Sequence, residues 1–152
     1  MLAALDLDRL IADTEQEMLG VIARAEDSRT GELYRMVRYH MGLDSQAPRG
    51  TRMRPLIGLL AYQSIAGDHA GALPGAAAVE MGHNFSLVHD DIEDNGAERR
   101  HRPALWTVWG VPQAINTGDA LFTLSRMALY RLQEEGFDDS RILRLMRLYD
   151  ET

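Results

Sequence analysis

Residues 72–92 have the sequence ALPGAAAVEMGHNFSLVHDDI, a long run that is rich in alanine and other apolar residues. Met81, Phe85 and Val88 within it are apolar, and the run shows no sustained alternation of apolar and polar residues with the period of a strand. A helix with so many apolar residues is typical of a protein core. The stretch is therefore predicted to be a buried helix.

Helical patterns also lie on both sides of this stretch. Residues 5–25 and 141–152 combine apolar and charged side chains at the spacing of an amphipathic helix. Further helices are predicted over residues 31–41, from Pro55 to Gly67 and over residues 112–133, with loops at residues 42–50 and between Pro103 and Pro112. The predicted fold class is therefore all-α.

The composition restricts the classes of protein to which the chain can belong. Its 152 residues suit one domain over residues 1–152, and its hydrophobic share of 45% is normal for a folded protein. The net charge of −7 argues against nucleic-acid binding, and no apolar run is long enough to predict an integral membrane protein. The absence of cysteine excludes thiolate metal sites and fits a cytoplasmic location.

Four carboxylates lie within residues 90–94, DDIED, at the end of the predicted buried helix. Asp90 and Asp94 are one helical turn apart, and Asp91 is also a neighbour of Asp94, so their negative charges repel. The helix dipole disfavours negative charge at this end as well. Bound Mg²⁺ would relieve both penalties, because it prefers oxygen ligands from carboxylates, water and phosphate. The alternative is a solvated acidic helix end without a ligand.

An arginine cluster follows the acidic cluster within one loop. Arg99, Arg100 and Arg102 surround His101 in the sequence RRHR. Guanidinium groups bind phosphate oxygens through paired hydrogen bonds. Carboxylates suited to a metal ion, next to arginines suited to oxyanions, indicate a metal–diphosphate site.

These clusters resemble motifs of the trans-isoprenyl diphosphate synthase family. DDIEDN at residues 90–95 and RRHRP at residues 99–103 are similar to the family's first aspartate-rich motif, D-D-x-x-D, and to the arginine pair after it. GTRMRP at residues 50–55 is similar to its G-K-x-x-R-P segment, and His83 and GDAL at residues 118–121 also match. The resemblance covers roughly residues 30–152. It implies the antiparallel helical bundle of isoprenoid synthases, of which residues 1–152 would be the N-terminal portion, without the portion that carries the second aspartate-rich motif.

The resemblance also implies a role for each matching residue. Asp90 and Asp94 would bind Mg²⁺ with Asp91 in support, and Arg99 would contact an allylic diphosphate. The residues implied to hold isopentenyl diphosphate are Arg54, His83 and Arg100, beside Gly50 and Thr51. The implied protein is a homodimeric, Mg²⁺-dependent trans-prenyltransferase that condenses the two diphosphates.

Product length in the family depends on the residues just before the first motif. Phe85 and Ser86 occupy the fifth and fourth positions before Asp90. An aromatic residue followed by a small one resembles enzymes that make short products, C15 to C20, with the geranylgeranyl class slightly favoured. The alternative is that Phe85 is simply a core residue, and both roles are compatible.

Two departures from the family pattern keep other functions open. Thr51 stands where the family usually has lysine, and Arg52 next to it is expected to point elsewhere on a helix. A terpene cyclase of the same fold would not need the contact that is lost. No second aspartate-rich motif is found in the sequence, which is also compatible with a non-catalytic subunit that regulates a full-length partner.

Overall fold

The computed structural model describes residues 6–44 and 50–151, and these residues confirm the predicted all-α class. Leu5, most of the predicted loop at residues 42–50 and Thr152 lie outside the described residues. The helices are α1 (Leu7–Ala25), α2 (Gly31–Met41), α3 (Met53–Ala66), α4 (Leu73–Glu93), α5 (Leu105–Trp109), α6 (Val111–Tyr130) and α7 (Asp139–Glu151). The strands are β1 (Glu98–Arg99) and β2 (Arg102–Pro103).

Helices α4 and α6 form the centre of the bundle and pack along each other. Their contact buries Met81 and Val88 of α4 and Leu121 and Leu124 of α6, each with at most 1% of its surface exposed. Helices α1, α2 and α3 pack around this pair, and α7 lies beside α6. Because α4 is packed on several sides, the acidic residues at its end are carried by a rigid element.

The loop that was predicted between Pro103 and Pro112 contains the short helix α5. Five residues are too few to show helical periodicity, which explains why the pattern did not predict it. Gly110, with φ of 82°, separates α5 from α6. Among the described helices, none is both long enough and apolar enough to cross a membrane.

A tight antiparallel hairpin, which the sequence did not predict, follows α4. Arg99 pairs with Arg102, and the two residues between them, Arg100 and His101, have φ of 52° and 61°. Two positive φ values are the geometry of a type I′ turn, which usually contains asparagine or glycine. The left-handed conformation costs side-chain-bearing residues roughly 1–2 kcal/mol each. The hairpin therefore holds Arg100 in a conformation that arginine does not favour on its own.

Candidate diphosphate-binding site

The three aspartates at the end of α4 differ in their surroundings. Asp90 and Asp94 are exposed, whereas Asp91 is 5% exposed. Two hydrogen bonds join Asp91 to Arg99: Nε donates to Oδ2 at 2.9 Å, and Nη2 donates to Oδ1 at 2.8 Å. This pairing raises the pKa of Arg99. Asp91 and Arg99 therefore neutralise each other and attach the hairpin to α4.

Asp90 and Asp94 remain available for a cation. Within residues 6–44 and 50–151, neither carboxylate has a guanidinium or imidazole partner within 4.0 Å. No three carboxylate or imidazole groups of these residues converge as a complete metal cage. A pair of exposed carboxylates one helical turn apart nevertheless fits Mg²⁺, which usually takes one or two carboxylates and completes its shell with water and substrate phosphates.

A pocket of about 270 Å³ lies between the start of α3, the middle of α4 and the hairpin. Five residues predicted to bind isopentenyl diphosphate line it together: Gly50, Thr51, Arg54, His83 and Arg100. The other lining residues are Arg52, Met53 and Glu80. Asp90, Asp94 and Arg99 are not among the described lining residues, so the acidic helix end is a neighbour of the basic pocket along α4 and not part of it.

Arg52 is the most deeply buried charged residue next to the pocket, with 1% exposure. It lies immediately before α3 with φ of 49°, and not on the helix itself as the sequence suggested, but its side chain does point away to buried partners as expected. Its guanidinium donates to Glu15 at 3.2 Å, to Glu80 at 2.9 Å and to the backbone oxygen of Met41 at 2.7 Å. Arg52 therefore ties α1, α2 and α4 together and has no charge left for a ligand.

Arg100 is held differently, by neutral oxygen atoms. Its Nη1 donates to the backbone oxygen of His40 at 2.9 Å, and its Nη2 donates to Oδ1 of Asn84 at 3.0 Å. Burial, with Arg52 nearby, lowers the pKa of Arg100. Glu80 and Asp91 act on Arg100 from beyond contact distance, so no carboxylate occupies its guanidinium and an anion in the pocket can pair with it.

The two remaining polar groups of the pocket are Arg54 and His83. Arg54 is exposed and makes no ion pair with any described residue. Burial and the charge of Arg54 lower the pKa of His83, so its imidazole is neutral at pH 7. A neutral imidazole still donates one hydrogen bond to a phosphate oxygen. The pocket thus offers two guanidinium groups and an imidazole to an anion.

His40 lies under the arginine hairpin, and its imidazole is buried. Burial, followed by the charges of Arg100 and Arg99, lowers its pKa to about 3. His40 is therefore neutral at physiological pH. Its backbone oxygen, rather than its ring, supports Arg100.

Of the two positions expected to limit product length, Phe85 faces α6 and Ser86 bonds within α4. The ring of Phe85 lies edge-to-face with Phe122 at 5.0 Å and with His89 at 5.5 Å between centroids. Ser86 Oγ donates to the backbone oxygen of His83 at 2.8 Å. Phe85 is packed against the core cluster, which fits the core interpretation; its effect on product length stays a prediction.

Gly82, one turn before Phe85, makes room for a residue of α7. A methyl group added there would lie 1.8 Å from the hydroxyl oxygen of Tyr149. This hydroxyl donates to the backbone oxygen of Ala78 at 3.0 Å. The glycine therefore allows α7 to approach α4.

Sequence reasoning missed three residues that support the pocket: His40, Glu80 and Asn84. Glu80 and Asn84 are isolated polar residues in an apolar helix, at a spacing of one turn. That pattern is the only local sign of their role. It indicates that the two side chains are buried next to each other, but it does not indicate which residues elsewhere in the chain they bind. Their connection to Arg52 and Arg100 depends on distant segments and is visible only in the fold.

Comparisons with known proteins agree with this geometry. The profile of the Polyprenyl synthetase family matches residues 32–152. The chain is 38% identical over 137 residues to a geranylgeranyl diphosphate synthase of Mycobacterium tuberculosis, which covers 86% of this chain and 39% of that protein. It is 40% identical over 100 residues to a (2E,6E)-farnesyl diphosphate synthase of Mycobacterium bovis, which covers 62% of this chain and 28% of that protein.

The fold is also similar to that of solved structures. The crystal structure of geranylgeranyl pyrophosphate synthetase from Pyrococcus horikoshii Ot3 matches with a TM-score of 0.79 and 27% identity, over 97% of this chain and 44% of that one. The chain spans about a third of the length of the curated relatives it matches, 39% and 28% in the two named above. The matched residues include the aspartates of α4 and both segments that supply the pocket's arginines. The chain therefore belongs to the polyprenyl synthetase family.

Proposed function

We propose that this chain is the diphosphate-binding part of a trans-prenyltransferase that joins an allylic diphosphate to isopentenyl diphosphate. One observation carries the proposal: a pocket containing Arg54, His83 and Arg100 lies beside a helix whose end presents Asp90 and Asp94. A condensation of two diphosphates needs two anion sites of this kind next to each other. The names of the relatives, farnesyl and geranylgeranyl diphosphate synthases, support short products of C15 to C20.

Asp90 and Asp94 are the residues that would hold Mg²⁺. When bound, the cation would withdraw charge from the oxygens of the allylic diphosphate and make diphosphate a better leaving group. Asp91 would keep Arg99 oriented at the same helix end, because the two are already paired. Arg99 still has a guanidinium N–H group outside that pairing for an oxygen of the allylic diphosphate.

The basic pocket would bind isopentenyl diphosphate through charge and hydrogen bonding. Arg54 and Arg100 supply positive charge, and His83 supplies a neutral donor. Neither the charge of the two arginines nor the hydrogen bond from His83 requires a metal ion in this pocket. The two substrates would therefore be distinguished by different chemistry, one bound through Mg²⁺ and the other by arginine.

Thr51 supports a second candidate, a terpene cyclase that ionises an allylic diphosphate without a second substrate. Its side chain is exposed at the pocket and carries no charge where the family usually has lysine. The remaining cations of the pocket, Arg54 and Arg100, favour the synthase over the cyclase.

A homodimer is supported by the family resemblance and by three exposed apolar residues near the start of α6, Val108, Val111 and Ile115. The cytoplasmic location is supported by the absence of cysteine.

The test is to incubate the complete gene product with Mg²⁺, isopentenyl diphosphate and allylic diphosphates of different lengths. Lengthened diphosphates are the expected product, and Asp90→Ala should lower the rate by about a thousandfold or more, because it removes a metal ligand. The matched control is Glu93→Ala, which removes an exposed carboxylate from the same helix end.

The other outcomes separate the alternatives. Hydrocarbon or alcohol formed without isopentenyl diphosphate would identify a cyclase. No turnover, together with tight binding to a full-length homologue, would identify a regulatory subunit. An unchanged rate in Asp90→Ala would contradict the metal assignment.

A further inference from the structure

Asn84 is a fully buried polar side chain of α4 that joins two charged groups. Its Nδ2 donates to the backbone oxygen of Glu80 at 2.9 Å and to Oε1 of Glu80 at 3.1 Å. Its Oδ1 accepts from Nη2 of Arg100 at 3.0 Å. A reversed amide would place N–H against N–H and oxygen against oxygen, so these partners fix its orientation.

The same carboxylate connects Asn84 to a second arginine. Oε1 of Glu80 also accepts from Nη1 of Arg52 at 2.9 Å. A continuous path of hydrogen bonds therefore runs from Arg52 through Glu80 and Asn84 to Arg100, next to the pocket. The carboxylate of Glu80 compensates the charge of Arg52 at one end of this path, while at the other end Arg100 is hydrogen-bonded only to neutral oxygens and interacts with Glu80 and Asp91 from beyond contact distance.

The neutrality of Asn84 matters because the surroundings are buried. An aspartate in its place would have nearly the same size, but it would neutralise Arg100 and repel Glu80. Charge interactions are stronger at a buried site than in water, since the local dielectric is lower. An amide can thus orient Arg100 without taking up the charge that an anion in the pocket needs.

We infer that Asn84 is a positioning residue that holds Arg100 towards the pocket as an uncompensated cation and thereby sets the pocket's affinity for a diphosphate. The inference rests on the proposed function in naming isopentenyl diphosphate as the ligand. The hydrogen-bond path itself would act on any diphosphate that occupies the pocket.

The test compares two substitutions of similar size by calorimetric titration of the complete gene product. Asn84→Asp keeps an oxygen acceptor for Arg100 but adds a negative charge, whereas Asn84→Leu removes the acceptor and adds none. Isopentenyl diphosphate and inorganic pyrophosphate are titrated separately in the presence of EDTA, so that the aspartates of α4 bind no metal ion. We expect Asn84→Asp to weaken binding at least about tenfold and Asn84→Leu only about threefold.

A purely structural role would give the opposite order, because the aspartate variant retains the hydrogen bond to Arg100. Thr117→Val is the matched control: it removes another fully buried polar group, on α6 and outside the pocket, and should leave binding unchanged. Circular dichroism checks that each variant is folded. If Asn84→Asp does not fold, the test depends on Asn84→Leu. A threefold loss of diphosphate affinity in that variant would support the inference, and an unchanged affinity would contradict it.

The inference is overturned if Asn84→Asp binds as well as the wild type or better than Asn84→Leu, or if the wild type binds neither diphosphate. A different result would contradict the proposed function alone. The wild type would then form no prenyl product in the condensation assay, while Asn84→Asp would still bind pyrophosphate more weakly than Asn84→Leu in the titration.

Discussion

Four arginines lie in or next to the basic pocket as two pairs that are close in sequence, Arg52 with Arg54 and Arg99 with Arg100. Within each pair the two members have different surroundings. Arg52 and Arg99 contact carboxylates: Arg52 contacts Glu15 and Glu80, and Arg99 contacts Asp91. Arg54 and Arg100 line the pocket and contact no carboxylate among the described residues. The comparison indicates two different roles for these arginines. Compensated arginines hold the helices and the hairpin in place, and uncompensated ones carry the charge that a diphosphate would meet.

The local backbone contributes to this division. Arg52 and Arg100 both have positive φ, 49° and 52°, although they differ in role. In each case the turn places the guanidinium between helices, where hydrogen bonds with several elements stabilise it. Both arginines with the left-handed conformation therefore connect distant segments. Whether the charge of each is available to an anion depends on whether a carboxylate contacts it.

The largest expected effect is on stability, from removal of a compensated arginine. Arg52→Met leaves the buried carboxylate of Glu80 without its cation and removes the hydrogen bonds that join α1, α2 and α4, which should lower the free energy of unfolding by about 3–5 kcal/mol. Urea unfolding measures this change. Arg54→Met, two positions along the chain, should change it by less than about 0.5 kcal/mol, because Arg54 is exposed. Equal losses in the two variants would remove the distinction between them.

A pH-dependent effect should come from His40, which lies under Arg100. Its pKa is about 3 in the folded protein and 6.5 ordinarily, so below pH 6.5 the unfolded chain binds a proton that the folded protein does not. Stability should therefore fall with decreasing pH by about 1.4 kcal/mol per unit, or roughly 2 kcal/mol between about pH 6.5 and pH 5.

His40→Gln is the comparison for this effect, since glutamine does not titrate. The variant should lose most of the slope in urea unfolding over the same range, and the part that remains comes from His83 and from carboxylates such as Glu26 and Glu134, whose pKa values are also lowered. A slope as steep in the variant as in the wild type would mean that burial under the hairpin does not keep His40 neutral.

The smallest expected effect is a gain of affinity at Thr51. Thr51→Lys would add a third cation to the pocket at an exposed position, and should strengthen isopentenyl diphosphate binding by about three- to fivefold. Ala61→Lys adds the same charge to an exposed position of α3 outside the pocket and should have no such effect. Equal changes in the two titrations would show that net charge alone, rather than the pocket, governs binding.

The sequence predicted the helices well where they are long or bounded by turn residues. The predicted helix at residues 31–41 agrees with α2, Gly31–Met41, which ends at Gly42 in the left-handed conformation. The short helix α5 and the hairpin were missed, because five residues show no period and because Arg100 and His101 are unusual turn residues. Local pattern contains little information on either feature.

The pocket was predicted in part. Five of its lining residues were identified through their similarity to family motifs, and the structure brings them together. The burial of Arg52 was not predicted, since arginine is rarely buried and its partner Glu15 lies 37 positions away in the sequence. Asn84 was missed for the same reason: its partner Arg100 is 16 positions away, across the hairpin.

The most direct test of the division between the arginines is titration with isopentenyl diphosphate, without divalent cations, of Arg54→Gln, Arg100→Gln and Arg99→Gln. The two substitutions in the pocket should each weaken binding at least about tenfold, because each removes an uncompensated charge. Arg99→Gln should weaken binding less than either of them, because Arg99 does not line the pocket and a glutamine side chain can still donate a hydrogen bond to Asp91 and hold the hairpin. An equal or larger loss in Arg99→Gln than in the pocket variants would contradict the account.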